Sequence, residues 1–112
     1  MTELDNKHCV PCEGGIPALD PERAETLMHN LHESWKLVDD ATAIERTFHF
    51  RNFYRTMAFV NTVAWVAHRE DHHPDLQVAY GRCTVRYNTH AVSGLTDNDF
   101  ICARQIDLLF KD

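Results

Sequence analysis

The spacing of apolar residues changes along the chain and separates helical from extended segments. Ala24, Leu27 and Leu31 recur at helical spacing behind Asp20, a residue type that caps helices. The pattern predicts a first helix that ends at about His32. From Trp35 onward, apolar and polar residues alternate, which is the period of a strand with one buried face. A turn around residues 39–40 makes this segment a predicted hairpin. Its alternating apolar residues are Trp35, Leu37, Ile44, Phe48 and Phe50.

The helical period returns after Asn52, which can cap a second helix. Pro74 must end this helix, because proline lacks the amide donor that the helix needs. Its predicted apolar stripe consists of Phe53, Met57, Val60, Ala64 and Ala67. Strands are predicted at 76–80 and 83–89, on either side of Gly81. A last helix begins at Thr96, and its predicted buried side consists of Phe100, Ala103, Ile106, Leu109 and Phe110.

The predicted order of elements is α-β-β-α-β-β-α, which indicates an α+β fold. A four-stranded antiparallel sheet with three helices packed on one face is the simplest arrangement of that order. Residues 1–19 lack apolar periodicity and are expected to form a loosely ordered arm before a single domain at 20–112. Because so small a domain often gains stability by association, a homodimer or homotetramer is expected.

Composition and charge exclude several classes of function. The net charge is −6 and the basic residues are dispersed, which argues against nucleic-acid binding. No apolar run is long enough to span a bilayer, and the acidic first residues lack the apolar core of a signal peptide. We therefore expect a cytoplasmic protein with no membrane contact. Its four cysteines, Cys9, Cys12, Cys83 and Cys102, are then expected to be reduced thiols.

The candidate chemistry lies in the histidines. Three of the eight are placed to act together, namely His72, His73 and His90. His72 and His73 precede the third strand, and His90 follows the fourth. If these strands pair, the three side chains converge at one end of the sheet. Imidazole exchanges protons near neutral pH, so this cluster fits acid–base catalysis. Solvated loop histidines or hydrogen-bonded structural histidines fit the pattern about equally well.

Several spaced motifs resemble one known family. Residues 71–74 read Asp-His-His-Pro, an aromatic residue (Tyr80) closes the next strand, and Thr89-His90 follows the fourth strand. Residues 94–99 read Gly-Leu-Thr-Asp-Asn-Asp. In order and separation these motifs resemble the pterin-4a-carbinolamine dehydratases.

The resemblance implies a hydro-lyase. Its substrate would be 4a-hydroxytetrahydrobiopterin, and its product the quinonoid dihydropterin, in tetrahydrobiopterin recycling for an aromatic amino acid hydroxylase. It implies that His72 and His90 give or take protons and that His73 orients the pterin. The pterin is then the substrate, and neither a metal nor another cofactor is expected.

Supporting residues follow from the same resemblance. Asp99 matches an acidic position that supports the histidines, although Thr96-x-x-Asp99 also fits a helix capping box. The family often has Glu where this chain has His68, so Glu70 or Asp71 could supply that acid. Thr89 and Tyr80 are expected to bind substrate.

Two other classes of function stay open. One is a binding module that stabilises a partner protein's dimer through an exposed apolar face. The other is a metalloenzyme that uses the histidines together with Cys9-x-x-Cys12. A CxxC pair is half of a zinc site. No second CxxC occurs, so the sequence predicts a reduced thiol pair here and not a complete zinc site.

Overall fold

The elements of the computed structural model follow the predicted order. It describes residues 3–11 and 17–110, and within these ranges three helices and four strands occur as α-β-β-α-β-β-α. The bounds are α1 Pro21–Met28, β1 Lys36–Val38, β2 Ala43–His49, α2 Phe53–Glu70, β3 Asp75–Ala79, β4 Arg82–Tyr87 and α3 Asp97–Leu109, with a 3₁₀ turn at His90–Val92 between β4 and α3.

The strands form one antiparallel sheet in the order β1-β2-β4-β3. Its apolar side chains alternate in and out as predicted, and those on the buried face of β4 are fully covered (Cys83, Val85 and Tyr87). The opposite face is polar. There the Thr47 and Thr84 hydroxyls lie 2.8 Å apart. One face therefore packs against the helices while the other faces water, which confirms the predicted fold class.

Helix α1 is shorter than predicted. The Asp20 carboxylate caps it by accepting a hydrogen bond of 2.8 Å from the Arg23 N–H. The helix ends at Met28, and the predicted extension toward His32 is a turn instead. The N–H of Leu31 reaches back three residues to Met28 at 3.1 Å, as in a tight 3₁₀ turn. This turn lets the chain change direction and bury Leu31.

Helix α2 buries a different stripe from the one predicted. Asn52 caps its start as expected, through a 2.8 Å bond from the Arg55 N–H. The buried residues are Thr56, Phe59, Val63, Val66 and Glu70. Phe53, placed in the predicted stripe, is 48% exposed. Both stripes have helical spacing, and contact with the sheet decides between them: the Phe59 ring lies 4.4 Å from that of Phe48, between centroids.

Helix α3 enters the core by its first three turns. Its buried residues are Asn98, Asp99, Phe100, Ile101, Cys102, Ala103 and Ile106. The prediction that Leu109 is buried was wrong, since this side chain is 55% exposed at the helix end. Phe110 is half-buried, and its ring packs edge-on against Phe48 at 5.2 Å.

A buried carboxylate joins the helices to the sheet. Asp107 of α3 accepts hydrogen bonds from the His32 N–H at 2.8 Å, the Trp35 indole at 2.8 Å and the Arg46 guanidinium at 2.9 Å. The side chains of Arg46 and Asp107 are only 5% and 6% exposed. This one residue therefore ties the segment after α1, the start of β1 and strand β2 to α3.

The N-terminal arm is docked where the structure describes it. Leu4 is 2% exposed and belongs to the core, so the described part of the arm, residues 3–11, packs against the domain. Among the described residues, no helix has the length and apolar character needed to cross a membrane.

Candidate active site

His72 lies where α2 gives way to β3. The helix ends at Glu70, and Asp71 adopts a left-handed conformation with φ of 52° that turns the chain away from the helix axis. The His72 N–H still donates to the Ala67 carbonyl at 3.1 Å. Pro74 then prevents further helix, and β3 begins at Asp75. The His72 side chain is consequently held at the end of the sheet where β3 begins, with 12% of its surface exposed.

Asp99 supplies the partner of His72. It lies in the first turn of α3, fully buried, and one carboxylate oxygen accepts from the Thr89 hydroxyl at 2.8 Å and the Thr96 N–H at 3.0 Å. The other oxygen lies 2.6 Å from His72 Nε2. Asp99 is therefore both a member of the capping box and the carboxylate that contacts His72.

This arrangement selects the tautomer that His72 presents. An ionised Asp99 accepts the Nε2 proton, which leaves Nδ1 to exchange protons elsewhere. The Tyr87 ring stacks on the imidazole at 5.9 Å with an interplanar angle of 7° and so defines the ring plane. Burial, together with the acidic groups of Cys102, Cys9 and Asp99 nearby, raises the pKa of Tyr87 well above its ordinary value. Tyr87 therefore stays neutral where it packs against the His72 ring.

His73 and His90 lie at the same end of the sheet as His72. Strands β3 and β4 are antiparallel, with Asp75 opposite Arg86, so the start of β3 adjoins the end of β4. His73 is two residues before the first of these strands, and His90 begins the 3₁₀ turn after the second. Both are exposed, in contrast to His72. The expected pairing of the strands is therefore confirmed, and it places all three histidines at one end.

The two residues expected to bind substrate lie in different surroundings. Thr89 is 4% exposed, and its hydroxyl bonds to Asp99 and to the Thr96 hydroxyl at 2.9 Å, so this side chain supports the carboxylate. Tyr80 is 67% exposed in the turn between β3 and β4, at the end of these strands that is remote from the histidines. Within a single chain, the structure does not bring Tyr80 to the histidine cluster.

The carboxylates of Glu70 and Asp71 do not contact His72, His73 or His90. The Glu70 carboxylate, 2% exposed, accepts from His8 Nδ1 at 2.7 Å and from the Cys9 N–H at 2.7 Å. Burial alone would raise its pKa, but the bonds from Cys9, His8 and Gln105 outweigh this and lower it to about 2. Asp71 is exposed at the end of α2. Of the three acids proposed from sequence, Asp99 is the one that contacts one of the three candidate histidines.

A cavity of about 600 Å³ adjoins this junction on the side of the arm. One wall consists of residues 8–11, and the other of residues 69–71 with Asn98. None of the three candidate histidines lines it. It lies beside the backbone that carries His72 and Asp99.

The Cys9-x-x-Cys12 pair is only partly visible, since Cys12 lies outside the described residues. Cys9 Sγ lies 3.5 Å from Cys102 Sγ, a contact between distant parts of the chain. This contact and burial raise the pKa of the Cys9 thiol. Within residues 3–11 and 17–110, no three His, Cys, Asp or Glu side chains are grouped so as to hold a metal ion.

Sequence reasoning missed several residues around the site. Tyr87 was predicted only as part of the strand at 83–89, and Asn98 and Gln105 were given no part in the site. No local motif marks them, because their partners lie far away in the chain: Asn98 pairs with Val10, and Gln105 with Glu70.

Comparison with known proteins confirms the family resemblance that the motifs predict. The family model described as pterin 4 alpha carbinolamine dehydratase matches residues 17–109. A protein of Nitrosomonas europaea with the provisional name pterin-4-alpha-carbinolamine dehydratase is 56% identical over 111 residues, covering 99% of this chain and 96% of its own. A relative from Legionella pneumophila strain Corby with the same provisional name is 50% identical over 111 residues, covering 99% and 98%.

A solved structure shows the same fold. The crystal structure of a transcriptional coactivator/pterin dehydratase from Brucella melitensis superposes with a TM-score of 0.76 at 32% identity, covering 82% of this chain and 97% of that one. The family model and these relatives identify a hydro-lyase, and the fold is of the α+β class. The chain belongs to the pterin 4 alpha carbinolamine dehydratase family.

Proposed function

We propose that this chain dehydrates 4a-hydroxytetrahydrobiopterin to the quinonoid dihydropterin by histidine acid–base catalysis. The observation that carries the proposal is the 2.6 Å contact between His72 and the buried Asp99, at the end of the sheet shared with His73 and His90. A carboxylate-oriented imidazole beside two exposed imidazoles supplies the proton donors and acceptors that an elimination of water needs.

The reaction breaks one bond to oxygen and forms one double bond. The C4a–O bond breaks as an acid protonates the departing hydroxide, which leaves as water. A base takes the N5 proton, and the N5 electron pair forms the C4a=N5 bond. One proton is given and one is taken, so the enzyme returns to its starting protonation state after proton exchange with solvent.

The three histidines divide these tasks by their surroundings. His72, held by Asp99 and stacked on Tyr87, has a defined ring plane and presents Nδ1 for proton exchange. His90 is exposed beyond β4, and we assign it the complementary transfer at the 4a-hydroxyl. His73 orients the pterin ring from the start of β3. Proton transfer by a positioned side chain contributes about 10²–10⁴-fold to rate.

The proposal uses no metal and no further cofactor, because an acid and a base suffice for this elimination. We expect full activity after dialysis against a chelator. Loss of activity that added zinc restores would contradict this part of the proposal.

The reaction belongs to tetrahydrobiopterin recycling, downstream of an aromatic amino acid hydroxylase that produces the hydroxylated pterin. We place it in the cytoplasm. Cys9, Cys83 and Cys102 are free thiols among the described residues, which suits a reducing compartment.

The test is the absorbance change as freshly generated 4a-hydroxytetrahydropterin loses water. Wild type should exceed the buffer rate, and His73→Ala and His90→Ala should each lower kcat/KM about 10²-fold or more. His49→Ala is the matched control, because His49 is exposed at the far end of β2 and should leave the rate unchanged. Circular dichroism checks that each variant is folded.

A wild type no faster than buffer would overturn the proposal. The protein-binding alternative would then come first, and capture of a partner by the wild-type chain with and without a pterin analogue would examine it.

A further inference from the structure

The docked arm joins the two elements that carry the candidate catalytic pair. Residues 3–11 lie across the end of α2 and the start of α3, and the family match begins only at residue 17. The arm is therefore an addition to the part of the chain that the family model covers. Its contacts are specific and polar as well as apolar.

The Glu70 carboxylate is the first attachment point of the arm. It accepts from His8 and from the Cys9 N–H, both at 2.7 Å, and from Gln105 Nε2 of α3 at 3.2 Å. Arg69 Nε also lies 3.3 Å from it. Bonds to a buried carboxylate are stronger than neutral ones, so Glu70 holds the arm, α2 and α3 together.

Asn98 is the second attachment point. Its side-chain amide donates to the Val10 carbonyl at 2.7 Å and accepts from the Val10 N–H at 3.1 Å, as a neighbouring strand would. Beside it, Cys9 Sγ contacts the Asn98 carbonyl at 3.6 Å and Cys102 Sγ at 3.5 Å. Residues 8–10 of the arm are thus bound to both sides of the junction.

These attachment points are next to the candidate catalytic residues in the chain. Glu70 is two residues before His72, and Asn98 directly precedes Asp99. The 2.6 Å contact between His72 and Asp99 spans the same gap between α2 and α3 that the arm bridges. A shift of the two helix ends changes this contact, and a misplacement of about 1 Å in catalytic geometry can cost 10²-fold in rate.

We propose that arm residues 8–10, through Glu70 and Asn98, position His72 against Asp99. All are positioning residues, since none of their side chains contacts the imidazole of His72 or the carboxylate of Asp99. The inference rests on the proposed dehydratase function for its effect on rate, but the effect on His72 itself is independent of it.

The experiment uses the full chain with Glu70→Gln, Asn98→Ala and the double variant. Trypsin cleavage after Lys7, followed by mass spectrometry, reports whether the arm is released. Nitrogen NMR shifts of the His72 ring across a pH titration report its contact with Asp99. Steady-state kinetics separate kcat from KM. The matched control is Glu3→Gln, which removes an exposed arm contact to Arg23 on α1 and leaves the junction intact.

We expect faster cleavage after Lys7, altered His72 shifts, and kcat lowered about 10-fold or more with little change in KM. The control should match wild type in all three. An arm that is released while His72 shifts and kcat stay normal overturns the proposal. An arm still docked in the double variant does so as well. If the double variant does not fold, Glu70→Gln, which keeps the side-chain shape, is judged alone.

The two proposals fail in different ways. A wild type without dehydratase activity refutes the proposed function, and positioning is then judged by the His72 shifts, which need no substrate.

Discussion

At the scale of single residues, the Asp99 carboxylate combines a helix cap with a contact to a candidate catalytic histidine. Its two oxygens contact His72, Thr89 and Thr96, and the side chain is fully buried. The helix cap and the contact with His72 use different oxygens of the same carboxylate, so neither excludes the other. The same residue starts a helix and orients an imidazole.

Replacing Asp99 by Asn should separate these two roles. The Asn oxygen can still accept from Thr89 and Thr96, but its NH₂ group faces His72 Nε2 and requires that nitrogen to accept. His72 then carries its proton on Nδ1, the reverse of the proposed state. We expect dehydration to fall about 10²-fold or more, as happens when a carboxylate that orients a catalytic histidine becomes an amide. Kinetics with Asp97→Asn, exposed on the same turn, are the control. An unchanged rate would show that the tautomer is unimportant.

At the scale of elements, one buried polar group fixes how α3 meets the sheet. Asp107 binds Trp35, Arg46 and the backbone of His32, which come from three different segments. The Arg46 guanidinium also lies 4.1 Å over the Phe48 ring. Removing the carboxylate breaks the 2.9 Å ion pair of a buried guanidinium, and removing one member of a buried pair is the costly way to break it.

Asp107→Ala should therefore lower the free energy of unfolding by about 3–5 kcal/mol. Urea denaturation followed by tryptophan fluorescence measures it, since Trp35 is itself a partner. Asp97→Ala, an exposed change on the same helix, should cost much less. A loss below about 1 kcal/mol for Asp107→Ala would mean that the network adds little to stability.

At the scale of the whole molecule, the Glu70 carboxylate makes the docked arm sensitive to acid. Its pKa falls from 4.5 to about 2 on folding, because the bonds from Cys9, His8 and Gln105 outweigh burial. A carboxyl group whose pKa is lower in the folded than in the unfolded state stabilises the fold fully at pH values above its unfolded-state pKa. This stabilisation disappears as the pH falls through the folded-state pKa. The loss therefore lies between about pH 4.5 and pH 2.

We expect Glu70→Gln to be less stable than wild type at pH 7 and the difference to shrink below about pH 4.5. Urea unfolding of both proteins at several pH values measures this. A difference that does not depend on pH would show that the carboxylate is not ionised in the folded state.

Self-association is the second expectation at this scale. Trp65 and Leu109 are 53% and 55% exposed and line a shallow hollow between α2 and α3. We propose that a second copy of the chain covers this patch, because a domain of 112 residues gains stability by such burial. Light scattering should give a multiple of 13.0 kDa. Trp65→Glu should lower the mass, and Glu25→Lys on α1 should not. A wild-type mass of 13.0 kDa would contradict this.

The sequence by itself determined the order of elements and the placement of the histidines. Alternation and helical spacing are local properties, and Asn52, Pro74 and Gly81 mark boundaries by their own conformational preferences. Pairing of β3 with β4 then follows from their adjacency in the chain. The placement of His72 and His90 at one end of the sheet can therefore be predicted without knowledge of the packing.

Tertiary structure alone decided which of two possible apolar stripes α2 buries and where the Glu70 carboxylate goes. Periodicity sets the spacing of a stripe but not its partner, so Phe59 was buried where Phe53 was expected. Glu70 bonds to a residue 61 positions away, and Asn98 to one 88 positions away. Contacts of that range depend on the packed arrangement of all the elements, and no local pattern encodes them.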